Sequence, residues 1–145
     1  MMSTSDLSLL AYCGLYCGAC SVRIAFQESE RGHLLSMPAK YDKYKSASLE
    51  DCPGCRADSH GSECKIRDCA REKKLTHCGD CVDFPCRMVA DFSSDGIPHH
   101  SEIIANLAAI RDMGVDAWLI HEKARFACSC GKRLSWYVKK CIHAR

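Results

Sequence analysis

The sequence predicts a small, metal-stapled, α-rich protein of the α+β class: a cysteine-rich N-terminal domain, then a helical hairpin and a short C-terminal β-ribbon. Three observations carry this expectation. Thirteen of the 145 residues are cysteine, about 9% and several times an ordinary share. Without them the apolar share of 47% falls to roughly 38%, thin for a core that must stand without staples. Several segments carry apolar residues at helical spacing, whereas the last twenty residues alternate loosely.

Taken in order, residues 1–10 read as a polar start. Val22 to Leu35 carries Val22, Ile24, Ala25, Phe26, Leu34 and Leu35 on a broken helical spacing, with Gly32 near its end. Pro38 suits the first turn of a helix through Tyr44. Residues 46–65 hold Pro53-Gly54 and Gly61 and read as loop. Ile66 to Lys74 is a short helix, and Pro85 opens another through Phe92. Ser93-Ser94-Asp95-Gly96-Ile97-Pro98 reads as a linker. After it Ser101 caps a helix with Ile103, Ile104, Leu107, Ile110 and Met113 on one face, and Gly114 ends it. Val115 to Arg125 is a second amphipathic piece, and Phe126 to Arg145 suits a two-strand ribbon. The expected domains are therefore 11–92, cysteine-rich and metal-binding, 101–125, a helical hairpin, and 126–145, a zinc-ribbon-like tail.

The start, Met-Met-Ser-Thr-Ser-Asp-Leu-Ser-Leu-Leu, lacks the basic n-region of a secretory signal. No apolar stretch approaches ~20 residues, so no membrane span or membrane partner is expected. The chain reads as cytoplasmic. Disulfides are rare in that compartment, and an odd number of cysteines cannot all pair within one chain, so the cysteines point to metal. Formal net charge is +2, which metal-bound thiolates would take to about −2. The whole chain thus makes no case for a nucleic-acid binder, but its charge is uneven. Residues 123–145 carry seven basic residues and no acid, leaving residues 1–122 at −5.

Three cysteine pairs have the x2 spacing of a metal knuckle: Cys17–Cys20, Cys52–Cys55 and Cys78–Cys81. That spacing lets two thiolates reach one ion while the turn's amides face the sulfurs. The segment Cys52-Pro-Gly-Cys55-Arg-Ala-Asp-Ser-His60-Gly-Ser-Glu-Cys64 is the most self-contained candidate, with His60 as the fourth ligand. It is one residue short of the retroviral nucleocapsid knuckle. Cys13, Cys17, Cys20, Cys69, Cys78, Cys81 and Cys86 remain, more than one four-ligand site and fewer than two. A second zinc could take Cys17–Cys20 with Cys78–Cys81, with His77 to supply a missing ligand. The leftover thiols would pack as small hydrophobes, and this pairing stays open.

Cys13-Gly-Leu-Tyr-Cys17-Gly-Ala-Cys20 has the C-x3-C-x2-C spacing of radical S-adenosylmethionine enzymes. The chain lacks the length and the strand–helix alternation of their barrel, so radical chemistry is set aside. A plain iron–sulfur cluster is the alternative cofactor to zinc, because thiolates suit both metals. A thioredoxin-like role for Cys52–Cys55 fits less well, since the pair is followed by loop and not by a helix. In the tail, Cys128-Ser-Cys130 and Cys141-Ile-His143 look like a shrunken zinc ribbon, giving the ligand set Cys128, Cys130, Cys141 and His143.

Four of these motifs in this order carry a resemblance. Tyr12-Cys-Gly-Leu-Tyr-Cys-Gly-Ala-Cys20, Cys52-Pro-Gly-Cys55, Cys64-Lys-Ile-Arg-Asp-Cys-Ala70 and Cys78-Gly-Asp-Cys-Val-Asp-Phe-Pro-Cys86 resemble the bacterial and archaeal family numbered 3795 among domains of unknown function. The resemblance runs from about Ala11 to Phe92. It implies a cysteine-rich, metal-binding cytosolic protein with no established activity. Residues 101–145 are similar to the helix-plus-ribbon tail of some members. The family often places two cysteine pairs around the loop from Cys52 to Cys64, and here the position near Gly61 lacks one. That departure leaves His60 or an outside thiol to complete the site.

No glycine-rich phosphate loop, Ser-x-x-Lys or His-Glu-x-x-His pattern is present, so neither a catalytic residue nor an organic cofactor site is expected. His99-His100, after a proline in a linker, are expected to be solvated. His121-Glu122 belong to a core edge, Tyr12 and Tyr16 pack over sulfur, and Arg67 and Arg71 share a helix face toward an acidic partner or water. The function expected is a zinc-binding protein with two or three structural ions, presenting a surface to an unidentified protein partner. Enzymatic hydrolysis is disfavoured because all-thiolate zinc sites leave no position for water. The alternatives are single-stranded nucleic-acid binding through residues 123–145, where Trp136 and Tyr137 sit among lysines, and an iron–sulfur or redox protein.

Overall fold

The computed structural model describes residues 7–46, 52, 54–57 and 63–142. Its α-helices are α1 (Ser21–Gln27), α2 (Gly32–Leu35), α3 (Asp42–Lys45), α4 (Lys65–Glu72), α5 (Arg87–Ser93), α6 (Ile103–Met113) and α7 (Val115–Arg125). Short 3-10 turns at Cys17–Ala19, Ala39–Tyr41, Cys78–Asp80 and Pro98–Glu102 join them. None of the helices described is long and apolar enough to cross a membrane. The chain divides into two compact units, one of Met1–Cys17 with Pro53–Ile120, the other of Gly18–Cys52 with His121–Arg145.

In the first unit α6 is the central element. Its buried residues Ile103, Leu107 and Ile110 follow the i, i+4, i+7 spacing of one helix face. Each such side chain contributes about 1.5–3 kcal/mol on burial. α5 and the Cys78–Asp80 turn pack on α6. Gly14, at φ +95°, lies so close to α6 that a Cβ there would stand 2.8 Å from Leu107 Cγ and 3.0 Å from Ile103 O. Asn106 Nδ2 ties this approach by donating to Gly14 O at 2.9 Å. Trp118, from the first part of α7, meets Tyr16 edge-on at 6.0 Å between centroids, a geometry worth about 0.5–1.5 kcal/mol beyond area burial. Tyr16 therefore packs on an aromatic ring.

In the second unit α1 and α2 pack together, burying Ala25, Leu34 and Met37 beneath Val22, Tyr41 and Tyr137. The broken spacing of Val22–Leu35 resolves into these two helices, separated by Ser29 at φ +52°.

The expected C-terminal β-ribbon, and with it the α+β class, is corrected: among the described residues there is no strand, and the regular elements are helices joined by irregular connections. The tail makes only isolated bridges, Ala127 with Arg133 and Ser135 with Val138. The cause is local hydrogen bonding. Gly131 N donates back to Cys128 O, and Ser135 and Val138 exchange both of their backbone bonds across a two-residue loop. Trp136 N donates to Ala19 O instead of to a tail neighbour. The two bonds that flank the first bridge, Cys128 N to Lys132 O and Leu134 N to Phe126 O, are not continued by a further pair, so no ladder forms.

Candidate metal centre

The tail brings Cys128, Cys130 and Cys141 together, their Sγ atoms all within 4.8 Å of one another. The turn Cys128–Gly131 folds two of these thiols onto each other, with Cys130 Sγ 3.4 Å from Cys128 Sγ. Cys128 is buried, Cys141 half-buried and Cys130 exposed. A tetrahedral zinc with bonds of about 2.3 Å holds its sulfurs about 3.8 Å apart, so these three thiols fit one ion with small adjustments. His143 lies outside the described residues.

The tail is held from several sides within its own unit. His33 and Ser135, both fully buried, are joined through Nδ1 and Oγ at 2.8 Å. Arg133 Nε donates to Glu28 at 3.1 Å, and its guanidinium also meets Gln27. Phe126 is buried, with Arg125 and Lys139 over its ring. Of the aromatic residues among the tail lysines, Tyr137 packs on the α1–α2 core, while Lys123, Lys132, Lys139 and Lys140 are exposed.

A second group of thiols lies in the first unit. Cys69 on α4, Cys78 and Cys81 at the ends of the 3-10 turn, and Cys86 just before α5 line one small cavity. Burial pushes the Cys78 thiol up to about 12, and the nearby Cys86, Cys69, Cys81 and Cys64 add to the rise. Cys13 is likewise pushed up to about 12, chiefly by burial, although a backbone hydrogen bond from Leu15 opposes it. Cys64, Cys17 and Cys78 crowd Cys13 electrostatically. Without a cation these buried thiols stay protonated at neutral pH, since ionising them clustered and desolvated is unfavourable.

The loop of Cys55 is fastened to α4. Arg67 Nη1 reaches Cys55 O at 3.5 Å and Arg71 Nη2 donates to Arg56 O at 2.6 Å. These two arginines, expected to meet an acidic partner or water, are turned onto backbone carbonyls. Arg56 in turn lies over the Tyr12 ring, 4.1 Å from its centroid, and donates to Leu10 O. Cys64 is the N-cap of α4, its sulfur accepting from Arg67 N at 3.4 Å. Cys20 stands at the N-cap of α1, and Cys52 and Cys55 are half-buried. His60 lies outside the described residues.

Several histidines differ from expectation. His77 Nδ1 accepts from Gly79 N at 3.1 Å and its Nε2 faces Asp80, which occupies the ring that was to supply a missing ligand. His99 and His100 are buried, not solvated. His100 bonds Asp95 at 2.7 Å and stacks on Phe92, and His99 sits edge-on against His100. Burial, then the adjacent His100, lowers His99 to about 3, partly opposed by Asp95. Glu122 is almost fully buried and pairs with His121 and Arg125, a core-edge ion cluster.

The sequence pairs cysteines by short spacing and leaves Cys69 without a group. Its signal is helical: Ile66, Cys69, Ala70 and Lys73 follow an i, i+3, i+4, i+7 pattern and all line the cavity. Lys73, also missed, brings Nζ to 3.5 Å from Cys81 Sγ. No curated protein and no solved structure matches the chain. Cys13 to Cys86 fall inside the span that a family model covers, and the tail thiols fall after it. That model, described as a protein of unknown function (DUF3795), matches residues 9–91, more than half of the chain, and the protein belongs to this family.

Proposed function

We propose that this is a zinc-binding protein in which Cys128, Cys130 and Cys141 hold a structural ion, with His143 as the fourth ligand. The observation that carries this is the approach of three sulfurs within 4.8 Å on a tail pinned by His33–Ser135 and Arg133–Glu28. Soft, closely spaced thiolates suit a single zinc ion. A closed site of this kind leaves no position for a reacting water, so the ion's task is to fix the tail and the surface around it for a protein partner. Zinc binding supplies folding free energy that a thin core lacks, on the order of 10 kcal/mol per site in peptides.

Single-stranded nucleic acid is the less supported partner. Exposed lysines favour it, but Tyr137 is packed against the helices and Arg133 is engaged by Glu28.

Elemental analysis of protein purified without nickel tests the zinc site, together with cobalt substitution. The wild type is expected to hold a zinc that Cys141→Ser loses, and cobalt is expected to give thiolate charge-transfer bands that vanish in the same variant. Equal zinc content in both proteins would refute the tail site.

A further inference from the structure

The cavity in the first unit is surrounded by four thiols that come from three separate segments. Cys69 reaches it from α4, Cys78 and Cys81 from the 3-10 turn, and Cys86 from the start of α5. The remaining wall is apolar, including Ile66, Leu75, Phe84 and Met88, apart from Lys73. We propose that this cavity is the binding site of a [4Fe–4S] cluster ligated by Cys69, Cys78, Cys81 and Cys86.

Ligand number and type come first: four cysteine thiolates are the complete set for such a cluster. Spacing separates it from the tail. A mononuclear zinc draws its sulfurs to about 3.8 Å and fills the space between them. Among the described residues, the tail trio alone brings three sulfurs within 4.8 Å. No three of the four thiols here approach one another that closely, yet all four line one cavity, which favours a polynuclear cluster over a single ion. Wall chemistry agrees as well. An oxidised [4Fe–4S] core with four thiolates is doubly negative, and the Lys73 ammonium at 3.5 Å from Cys81 Sγ is placed to offset part of that charge. Apolar residues over the remaining wall limit the water that degrades exposed clusters.

This site uses other residues and another metal than the tail, so each can fail without the other. The test is anaerobic purification of the full chain, or its reconstitution with ferrous iron and sulfide. Iron, acid-labile sulfide and the visible spectrum are then read. The expected result is about four irons and four sulfides per chain with a broad band near ~400 nm. Cys69→Ser and Cys86→Ser should each lose most of the band and iron, whereas Cys141→Ser should keep both. Differential alkylation of the wild type avoids any folding defect in the variants. Cys69, Cys78, Cys81 and Cys86 should be protected together in the iron-loaded chain and become reactive together after oxidative loss of the cluster. Zinc with no iron after reconstitution, iron retained in Cys69→Ser, or protection of a different cysteine set would each overturn the assignment.

Discussion

Replacing Gly14 by alanine tests how tightly the first cysteine motif is seated on α6. Two costs combine there. Gly14 has φ +95°, and moving an L-residue into that region costs about 1–2 kcal/mol. The new Cβ would also stand 2.8 Å from Leu107 Cγ and 3.0 Å from the backbone oxygen of Ile103. Leu107 Cγ is a branch point in a fully buried side chain and Ile103 O belongs to a helix, so neither can swing away. Overpacking of this kind adds about 1–3 kcal/mol, for a total of about 2–5 kcal/mol.

Gly96 provides the internal control. It has nearly the same φ, +92°, with nothing within 4 Å of the point a Cβ would occupy, so Gly96→Ala should cost only the backbone share, about 1–2 kcal/mol. Urea unfolding at fixed metal content, compared at equal m, reads both variants. Equal costs within about 0.5 kcal/mol would refute the close approach of the motif to α6.

Three further outcomes are expected. His99 has a folded pKa of about 3 against about 6.5 unfolded, so the unfolded chain takes the proton first as pH falls. The stability from neutral His99 is full above 6.5 and is lost on the way down toward 3, by about 2 kcal/mol between pH 7 and 5. Urea unfolding of His99→Gln at the two pH values should show a drop smaller by that amount, and identical drops would count against a buried neutral His99. Ser135→Ala removes the hydroxyl on His33 Nδ1 and should destabilise by about 1–3 kcal/mol, with zinc lost at a lower chelator concentration. Finally, chelation should red-shift Trp136 emission in a Trp118→Phe background, because the tail that carries Trp136 loosens. An unchanged spectrum would mean that metal does not order this segment.

The helices were legible wherever local signals acted alone. The apolar face of Ile103, Leu107 and Ile110 with its stop at Gly114 gives α6, and α7 runs over Val115–Arg125 as its spacing indicates. The gap in the Val22–Leu35 pattern is a real break between two helices. What stayed hidden was set by partners distant in the chain or by competing bonds. The loose alternation after Phe126 suggested strands, but cross-tail pairing stops after the single bridge of Ala127 with Arg133, because Trp136 N turns to Ala19 O and Ser135 and Val138 close a tight turn. His99 and His100 follow a proline in a polar stretch, yet Phe92 and Asp95 draw them inward. The tail thiols lie close in sequence and could be grouped by spacing. Cys69 could be grouped with Cys78, Cys81 and Cys86 only once α4 lay beside their loop.

Each of the two compact units is assembled from segments far apart in the chain. During synthesis, residues 18–52 emerge early yet have to wait for residues 121–145, and the first unit is likewise interrupted between Cys17 and Pro53. Closing such long loops comes late and slowly, and it leaves unpaired thiols exposed in the meantime. The span that defines the family, 9–91, lacks Leu107 and Trp118, against which Gly14 and Tyr16 are seated, and Ser135, which holds His33. Excised by itself, that span would lack these contacts, so experiments on its metal chemistry call for the full chain.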